Sequence, residues 1–288
     1  MPLLTEHPFA IGDRPVVLLE GPAGWGEWSP LPGYPSDPAV CRRAAEEAAT
    51  IGFPPAVRSE VPVNALVDGP FLVQDVRGYP AVKVKVHDLA GVALVGAVRD
   101  AVGPAVALRV DANGAWDVDT AIDMIGRLAR FDLELVEQPV ASLDDLARVR
   151  RAVSVPVAAD ECVRSVDDAR RLRALDAADV VVVKQQPLGG VRSALDVVDA
   201  AGVPAVVTSM METSVGIAAG LALAAALPEL PHACGLGTAA SLPADVTRDP
   251  LVPVDGRLSV RAVVPDLLVG QPASQERSSD ANSPGDSR

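Results

Sequence analysis

Between residues 61 and 240 the sequence repeats one rhythm, and that rhythm restricts the folds open to it. Short apolar runs recur: VPVNALV from Val61, AVKVKV from Ala81, AVALRVDAN from Ala105, LELVEQP from Leu133, VPVAADE from Val155, DVVVVKQQ from Asp179, PAVVTSM from Pro204 and HACGLG from His232. Most are separated by stretches with helical spacing, such as TAIDMIGRLARF, SLDDLARVRRAV and SVDDARRLRAL. Strand signals alternating with helix signals predict βαβ units and a parallel sheet. Eight such runs in one unbroken stretch predict a (β/α) barrel rather than an open doubly wound sheet. No Gly-x-Gly-x-x-Gly follows any run, which also disfavours the open sheet. Composition agrees: 49% of residues are apolar and only 3% aromatic, so Val-rich strands buried on both faces would be covered by Ala-rich helices.

The flanks differ. Residues 15–20 (PVVLLE) suit a short strand, and residues 38–51 suit a helix with Asp37 as its N-cap. Residues 21–35 are dense in Gly and Pro, read as a loop, and carry Trp25 and Trp28, which makes them the expected lid over an apolar substrate. Residues 271–288 have no large apolar side chain and are expected to be a disordered tail. The formal net charge of −13 repels phosphate backbones, so no nucleic-acid partner is expected. The longest apolar run, residues 215–227, is too short to span a bilayer and reads as a buried helix. The first residues lack a basic stretch followed by an apolar one, so no signal peptide is expected. Cys41, Cys162 and Cys234 are odd in number, far apart and without a Cys-x-x-Cys pair. They form neither a disulfide framework nor a zinc knuckle, and a cytoplasmic protein is the natural reading.

The ends of the apolar runs carry charge. Lys83 and Lys85 stand on the second run, Asp111 on the third, Glu137 on the fourth, Asp160 on the fifth and Lys184 on the sixth. From Lys85 onward the steps are 26, 26, 23 and 24 residues, each about one strand–helix unit. In a barrel these strand ends build the active-site face, and the second and sixth strands lie roughly 180° apart. Two lysine positions thus oppose each other with three acids on the arc between them. Three carboxylates held together repel unless a cation neutralises them. An all-oxygen set favours Mg²⁺ or Mn²⁺ over zinc. Period two puts Lys83 and Lys85 on one face of their strand. Like charges so placed depress each other's pKa, which predicts that one lysine is a base near neutral pH. Taken singly, each residue has an ordinary reading. Asp111 in Asp-Ala-Asn-Gly suits a turn, Glu137 a loop, Asp160 or Glu161 a helix cap, and Lys85 or Lys184 a solvated surface. Their common register points to chemistry. A non-enzymatic barrel is disfavoured because five buried charges are costly. A lyase forming a Schiff base on Lys184 is another enzyme class open to the same residues.

Lys83-Val84-Lys85, Asp111-Ala112-Asn113, Val136-Glu137-Gln138-Pro139, Asp160-Glu161 and Val183-Lys184 resemble the motifs of the enolase superfamily, on the side that carries a Lys-x-Lys pair. The resemblance covers about residues 61–240. It implies a modified TIM barrel, (β/α)₇β, over residues 61–240, with an α+β capping domain from residues 1–60 and part of 240–270. It implies Mg²⁺ (Mn²⁺ possible) on Asp111, Glu137 and Asp160, Lys85 as the base and Lys184 as the opposing lysine. Lys83, Asn113 and Ser209 are candidate contacts to a small-molecule carboxylate substrate. Within the superfamily the chain is most similar to dehydratases of menaquinone biosynthesis, which form 2-succinylbenzoate from 2-succinyl-6-hydroxy-2,4-cyclohexadiene-1-carboxylate. N-succinylamino acid racemases, dipeptide epimerases and muconate cycloisomerases share the motifs. Dipeptide epimerases typically carry Asp-x-Asp on the last strand, where this chain reads His232-Ala233-Cys234-Gly235-Leu236-Gly237. His232 has no acidic residue nearby in sequence, so no His–Asp dyad is expected. Arg109 shares a strand face with Asp111 by alternation and is expected to orient it.

Overall fold

Alternating apolar residues in the first thirty positions build a small antiparallel sheet. In the computed structural model, which describes residues 3–266, β1 (Thr5–Ile11) and β2 (Arg14–Gly21) form a hairpin, and β3 (Gly24–Trp28) pairs with β2. The tail expected at 271–288 lies outside the described residues. Helix α1 (Pro38–Thr50) covers the sheet, with Asp37 accepting from the Ala39 amide at its N-terminus as expected. Leu19 of β2 packs on Ala45 and Ala49 of α1. The Gly- and Pro-rich stretch at 21–35 is therefore only partly a loop. Gly26 lies inside β3 because the sheet meets the helix backbone there: a Cβ would stand 2.0 Å from the Ala45 carbonyl oxygen. Trp25 stacks near His7, with ring centroids 5.1 Å apart, and the Trp28 indole donates to the Pro38 carbonyl. Both tryptophans belong to the cap's own packing rather than to a lid.

The next run, VPVNALV, breaks in two. Strand β4 (Glu60–Pro62) leaves the barrel and pairs antiparallel with a late strand, while β5 (Asn64–Val67) starts it. A short helix, α2 (Val73–Val76), precedes β6 (Ala81–Lys85) and α3 (Leu89–Val102). Then follow β7 (Ala107–Asp111), α4 (Val118–Leu128), β8 (Leu133–Glu137), α5 (Leu143–Ala152) and β9 (Val157–Ala159). The series ends with α6 (Val166–Leu175), β10 (Val180–Val183), α7 (Val191–Ala201), β11 (Ala205–Val207) and α8 (Ser214–Ala226). Strand β12 (Arg257–Ser259) is the partner of β4.

Among the described residues, seven parallel strands run β5 to β11 in chain order, as right-handed βα units require. The eighth run closes the ring without a full strand. Single bridges join Cys234 to Val63 and Gly235 to Thr208, and the Cys234 amide donates to the Pro62 carbonyl at 2.8 Å. The result is a modified TIM barrel with a capping domain. Leu135, Ala158, Val180, Val182 and Val206 pack together inside it, and the alternate strand residues face the helices. Helix α8 is buried along nearly its whole length, as expected of the run at 215–227. Among the described residues no helix is long and apolar enough to cross a membrane.

Buried charge fixes the cap to the barrel mouth. The Glu27 carboxylate of β3 accepts from Ser29 Oγ at 2.6 Å and Thr213 Oγ1 at 2.5 Å. It also accepts from the Gly216 amide at 2.9 Å, at the start of α8. Glu212 accepts from the Met210 amide and from Gln186 Nε2, whose amide group also bonds Ser29. Glu27 and Glu212 are both buried, and Arg14 on β2 donates to the Met210 and Met211 carbonyls beside them. Burial and the Glu27 carboxylate push Glu212 from 4.5 up to about 7. A carboxyl whose folded pKa is raised favours the folded state in its protonated form. That stabilisation is whole below about pH 4.5 and is lost as pH rises through 7. It amounts to about 3 kcal/mol, from the interval between the two values. Urea midpoints of Glu212→Gln should therefore fall less steeply between pH 5 and 8 than those of the native chain. Parallel curves would show that Glu212 ionises freely.

Candidate active site

The alternation that buries the outer face of each strand aims its charged end residue into the mouth. Asp111 and Glu137 close β7 and β8 and sit opposite each other in register. Lys85 closes β6 and is paired in register with Asp111. Asp160 and Lys184 each follow the last residue of β9 and β10. The second-to-sixth-strand arrangement expected from the spacing is thus present, and these side chains form two hydrogen-bonded groups, one around Asp111 and one around Asp160. Lys83 Nζ donates to Asp111 Oδ2 at 3.0 Å and Glu137 Oε1 at 2.8 Å. Lys85 Nζ donates to Asp111 Oδ2 at 2.7 Å and Asn113 Oδ1 at 2.6 Å. The Lys184 ammonium bonds both oxygens of Asp160.

The electrostatics follow from burial and these pairs. Burial and the Asp111 carboxylate push Glu137 up to about 8, against the pull of Lys83. Burial works against charge on Asp111, but Lys83 and Lys85 outweigh it and hold that carboxyl well below the usual range. Burial likewise opposes the charge on Lys83, yet Asp111 and Glu137 raise its pKa above the ordinary lysine value. For Lys83 this corrects the expectation that its pKa is depressed by the neighbouring lysine. The carboxylates beside Lys83 outweigh its burial. Lys184 is raised in the same way, by Asp160.

A cavity of about 610 Å³ opens over these groups. Lys85, Lys184, Asp111, Asp160, Asn113 and Ser209 line it. Lys83 reaches its wall too, but its ammonium is engaged below by the two acids rather than free for a substrate. Asn113 has φ +47 and accepts from Lys85 while donating to Glu161 at 2.9 Å. Its backbone amide closes a turn on Asp111 Oδ1 at 3.0 Å, so the turn reading of Asp111 holds alongside its place in the site. Neither Asp160 nor Glu161 caps α6, whose N-cap is Ser165. Ser209 Oγ bonds Thr238 Oγ1 at 2.7 Å.

Arg109 does not orient Asp111. It pairs with Glu134, and its Nη1 donates to the Ala233 carbonyl at 2.7 Å, one layer below the mouth. The register of β7 against β8 shifts between Leu108 and Arg109, which lets Glu134 meet Arg109. His232 Nδ1 lies 2.8 Å from Glu134 Oε1, so His232 does have an acidic partner, 98 residues away in sequence. Burial opposes it, but His232 and Arg109 hold Glu134 down to about 2.

Sequence reasoning missed Tyr34, Phe71, Tyr79, Met210, Met211 and Thr238, which complete the cavity. Pro32-Gly33 was a usable signal for Tyr34. The Tyr34 amide donates to the Leu31 carbonyl at 3.2 Å and Gly33 has φ +83, the geometry of a type II turn with Pro and Gly at its centre. That turn presents Tyr34 to the mouth, where its hydroxyl donates to Asp160 Oδ1 at 3.0 Å. Residues 21–35 therefore do cover the site, through Leu31 and Tyr34 instead of the tryptophans.

The donor set fits a hard divalent cation. Asp111, Glu137 and Asp160 are buried oxygen-only side chains on three successive strand ends, and Asp111 and Asp160 both push Glu137 upward, a charge excess that a cation relieves. Among the described residues no three acidic, His or Cys side chains already meet at one point. The ammonium groups of Lys83 and Lys184 stand against them and supply the positive charge.

Family models and relatives match most of this chain. Residues 72–266 match the enolase C-terminal domain-like family and residues 7–49 the enolase N-terminal domain-like family. The o-succinylbenzoate synthase of Thermobifida fusca (strain YX) is 54% identical over 276 residues, covering 91% of this chain and 86% of that protein. The o-succinylbenzoate synthase of Mycolicibacterium smegmatis is 46% identical over 266 residues, covering 88% and 82%. Among solved structures, muconate cycloisomerase from Pseudomonas fluorescens superposes with a TM-score of 0.77 at 22% identity, covering 92% of this chain and 94% of that one. A dipeptide epimerase from Enterococcus faecalis V583 gives 0.75, also at 22% identity, covering 94% and 100%. These two likenesses concern the fold.

Proposed function

The chain belongs to the enolase superfamily, among its o-succinylbenzoate synthases, and from that membership and the mouth geometry we propose that it dehydrates 2-succinyl-6-hydroxy-2,4-cyclohexadiene-1-carboxylate to 2-succinylbenzoate in menaquinone biosynthesis. The observation that carries the reading is the placement of Lys85 and Lys184 on opposite sides of the Asp111, Glu137 and Asp160 carboxylates, at the floor of one cavity. Asp111, Glu137 and Asp160 would hold Mg²⁺, with Mn²⁺ as a substitute, which when bound polarises the substrate carboxylate and stabilises the negative charge that develops there.

The chain's own residues do the rest. Lys85 takes the ring proton next to the carboxylate. It then returns that proton to the departing ring hydroxyl, which leaves as water, so one base serves both halves of the elimination. Asn113 and Asp111 fix the Lys85 ammonium by hydrogen bonds, limiting the directions in which it reaches the substrate. Val84, between the two lysines, is buried on the opposite face of β6, and Lys83 ties Asp111 to Glu137 from below. Lys184 holds positive charge across the cavity and faces the ring of the intermediate. Leu31, Phe71 and Met210 supply apolar wall for the ring and help exclude water.

The test follows absorbance as purified protein meets the cyclohexadiene substrate with Mg²⁺. Formation of the aromatic product is the expected result. No conversion by folded, metal-loaded protein would remove the dehydratase assignment. The opposed lysines also suit a racemase of N-succinylamino acids, which would exchange the α-proton of such a substrate in D₂O; absence of exchange would exclude that second activity.

A further inference from the structure

Of the three carboxylates at the mouth, Asp160 is the one bonded by the cap. Asp111 is held by Lys83, Lys85 and the Asn113 amide, and Glu137 by Lys83, all from the barrel. Asp160 accepts from Lys184 and from the Tyr34 hydroxyl, the latter at 3.0 Å. Tyr34 comes from the segment joining β3 to α1, on the Pro32-Gly33 turn. Lys184 Nζ lies over its ring, 4.8 Å from the centroid. One cap residue thus touches both a carboxylate and the lysine that neutralises it.

A divalent cation and the Lys184 ammonium compete for the same Asp160 oxygens, since both are positive. With a cation on Asp160 the ammonium would be displaced, and the Tyr34 hydroxyl would be the neutral donor left to fix that carboxylate. The aromatic face beside Lys184 gives the displaced ammonium a favourable place to keep its charge. We propose that Tyr34 is a positioning residue for the metal site: it orients Asp160 from the cap, so that retention of the cation depends on the seating of the Pro32-Gly33 turn. The proposal rests on the reading of Asp160 as a cation ligand. Hydrogen-bond partners that orient metal-binding carboxylates are worth about 10–100-fold in metal affinity.

The experiment titrates the full-length native chain and its Tyr34→Phe, Tyr34→Leu and Asp160→Asn variants with Mn²⁺, reading free Mn²⁺ by electron paramagnetic resonance, and records thermal melting in EDTA. Tyr34→Phe keeps the ring and its packing and loses only the hydroxyl. Its Mn²⁺ dissociation constant should rise about tenfold, while Tm in EDTA changes little. Tyr34→Leu should bind Mn²⁺ no better than Tyr34→Phe. Asp160→Asn should bind far more weakly than either. If Asp160→Asn is impaired while both Tyr34 variants bind Mn²⁺ like the native chain, the role given to Tyr34 is wrong and the ligand set stands. If Asp160→Asn binds Mn²⁺ as tightly as the native chain, the ligand set itself fails, and the role of Tyr34 with it.

Discussion

Replacing Lys85 by Ala should lower kcat for the dehydration by about 10²–10⁴-fold, the range that a positioned acid–base group contributes. The structure gives reasons to expect a clean loss of chemistry rather than of folding. Lys85 ends its strand at the cavity floor, and its removal leaves Asp111 still bonded to Lys83 at 3.0 Å. No buried carboxylate is stranded, so Tm should change little. The neighbouring lysine cannot substitute, because the Lys83 ammonium is tied to Asp111 and Glu137 and its pKa is raised. Steady-state absorbance measurements on Lys85→Ala, paired with circular dichroism, check both halves. A kcat within tenfold of the native value in a folded variant would take the base role away from Lys85. The same variant should fail to exchange the ring proton in D₂O, since Lys85 is the group that removes it.

What the sequence disclosed and what it hid have one physical origin. Parallel strands in a barrel alternate inward and outward with period two, so the register of Lys85, Asp111, Glu137, Asp160 and Lys184 could be counted along the chain. Where the alternation is interrupted, counting fails. The shift between β7 and β8 brings Glu134 to Arg109 and His232, which turned an expected Asp111–Arg109 contact into a separate layer. The closing run at His232 makes bridges through Cys234 and Gly235 only, so it offers no alternating strand to count. Composition misled at β3, where glycine marks the close approach of α1 at Ala45, not a loop. Contacts across the cap–barrel junction were the least visible. Glu27 meets Thr213 across 186 residues and Tyr34 meets Asp160 across 126, and neither spacing leaves a periodic trace. The protonation behaviour of the lysines was hidden for a related reason. Lys83 and Lys85 can be paired from their spacing, whereas the carboxylate that decides the charge on Lys83 comes from another strand.

Lys184→Met should produce two effects that separate by metal. In EDTA the variant loses the partner of a buried carboxylate: Asp160 is 4% exposed and would keep only the Tyr34 hydroxyl. Breaking a buried pair in this way costs about 3–5 kcal/mol. With Mg²⁺ the deficit should shrink, because the cation takes over the neutralisation of Asp160 and no ammonium competes with it. Ligand linkage makes this quantitative: the stabilisation by Mg²⁺ grows as the logarithm of its concentration over its dissociation constant, and that constant should be smaller in Lys184→Met than in the native chain. Activity behaves oppositely. Even at saturating Mg²⁺ the positive charge facing the substrate is gone, and kcat should fall by about 10²–10³-fold, as for loss of one preorganised electrostatic group. Urea unfolding with and without Mg²⁺, alongside product formation, reads all three quantities. Equal destabilisation in EDTA and in Mg²⁺ would mean that the cation does not sit against Asp160. Recovered stability with native activity would mean instead that Lys184 serves only to neutralise Asp160 until the metal arrives, and that the charge opposite Lys85 contributes nothing to the reaction.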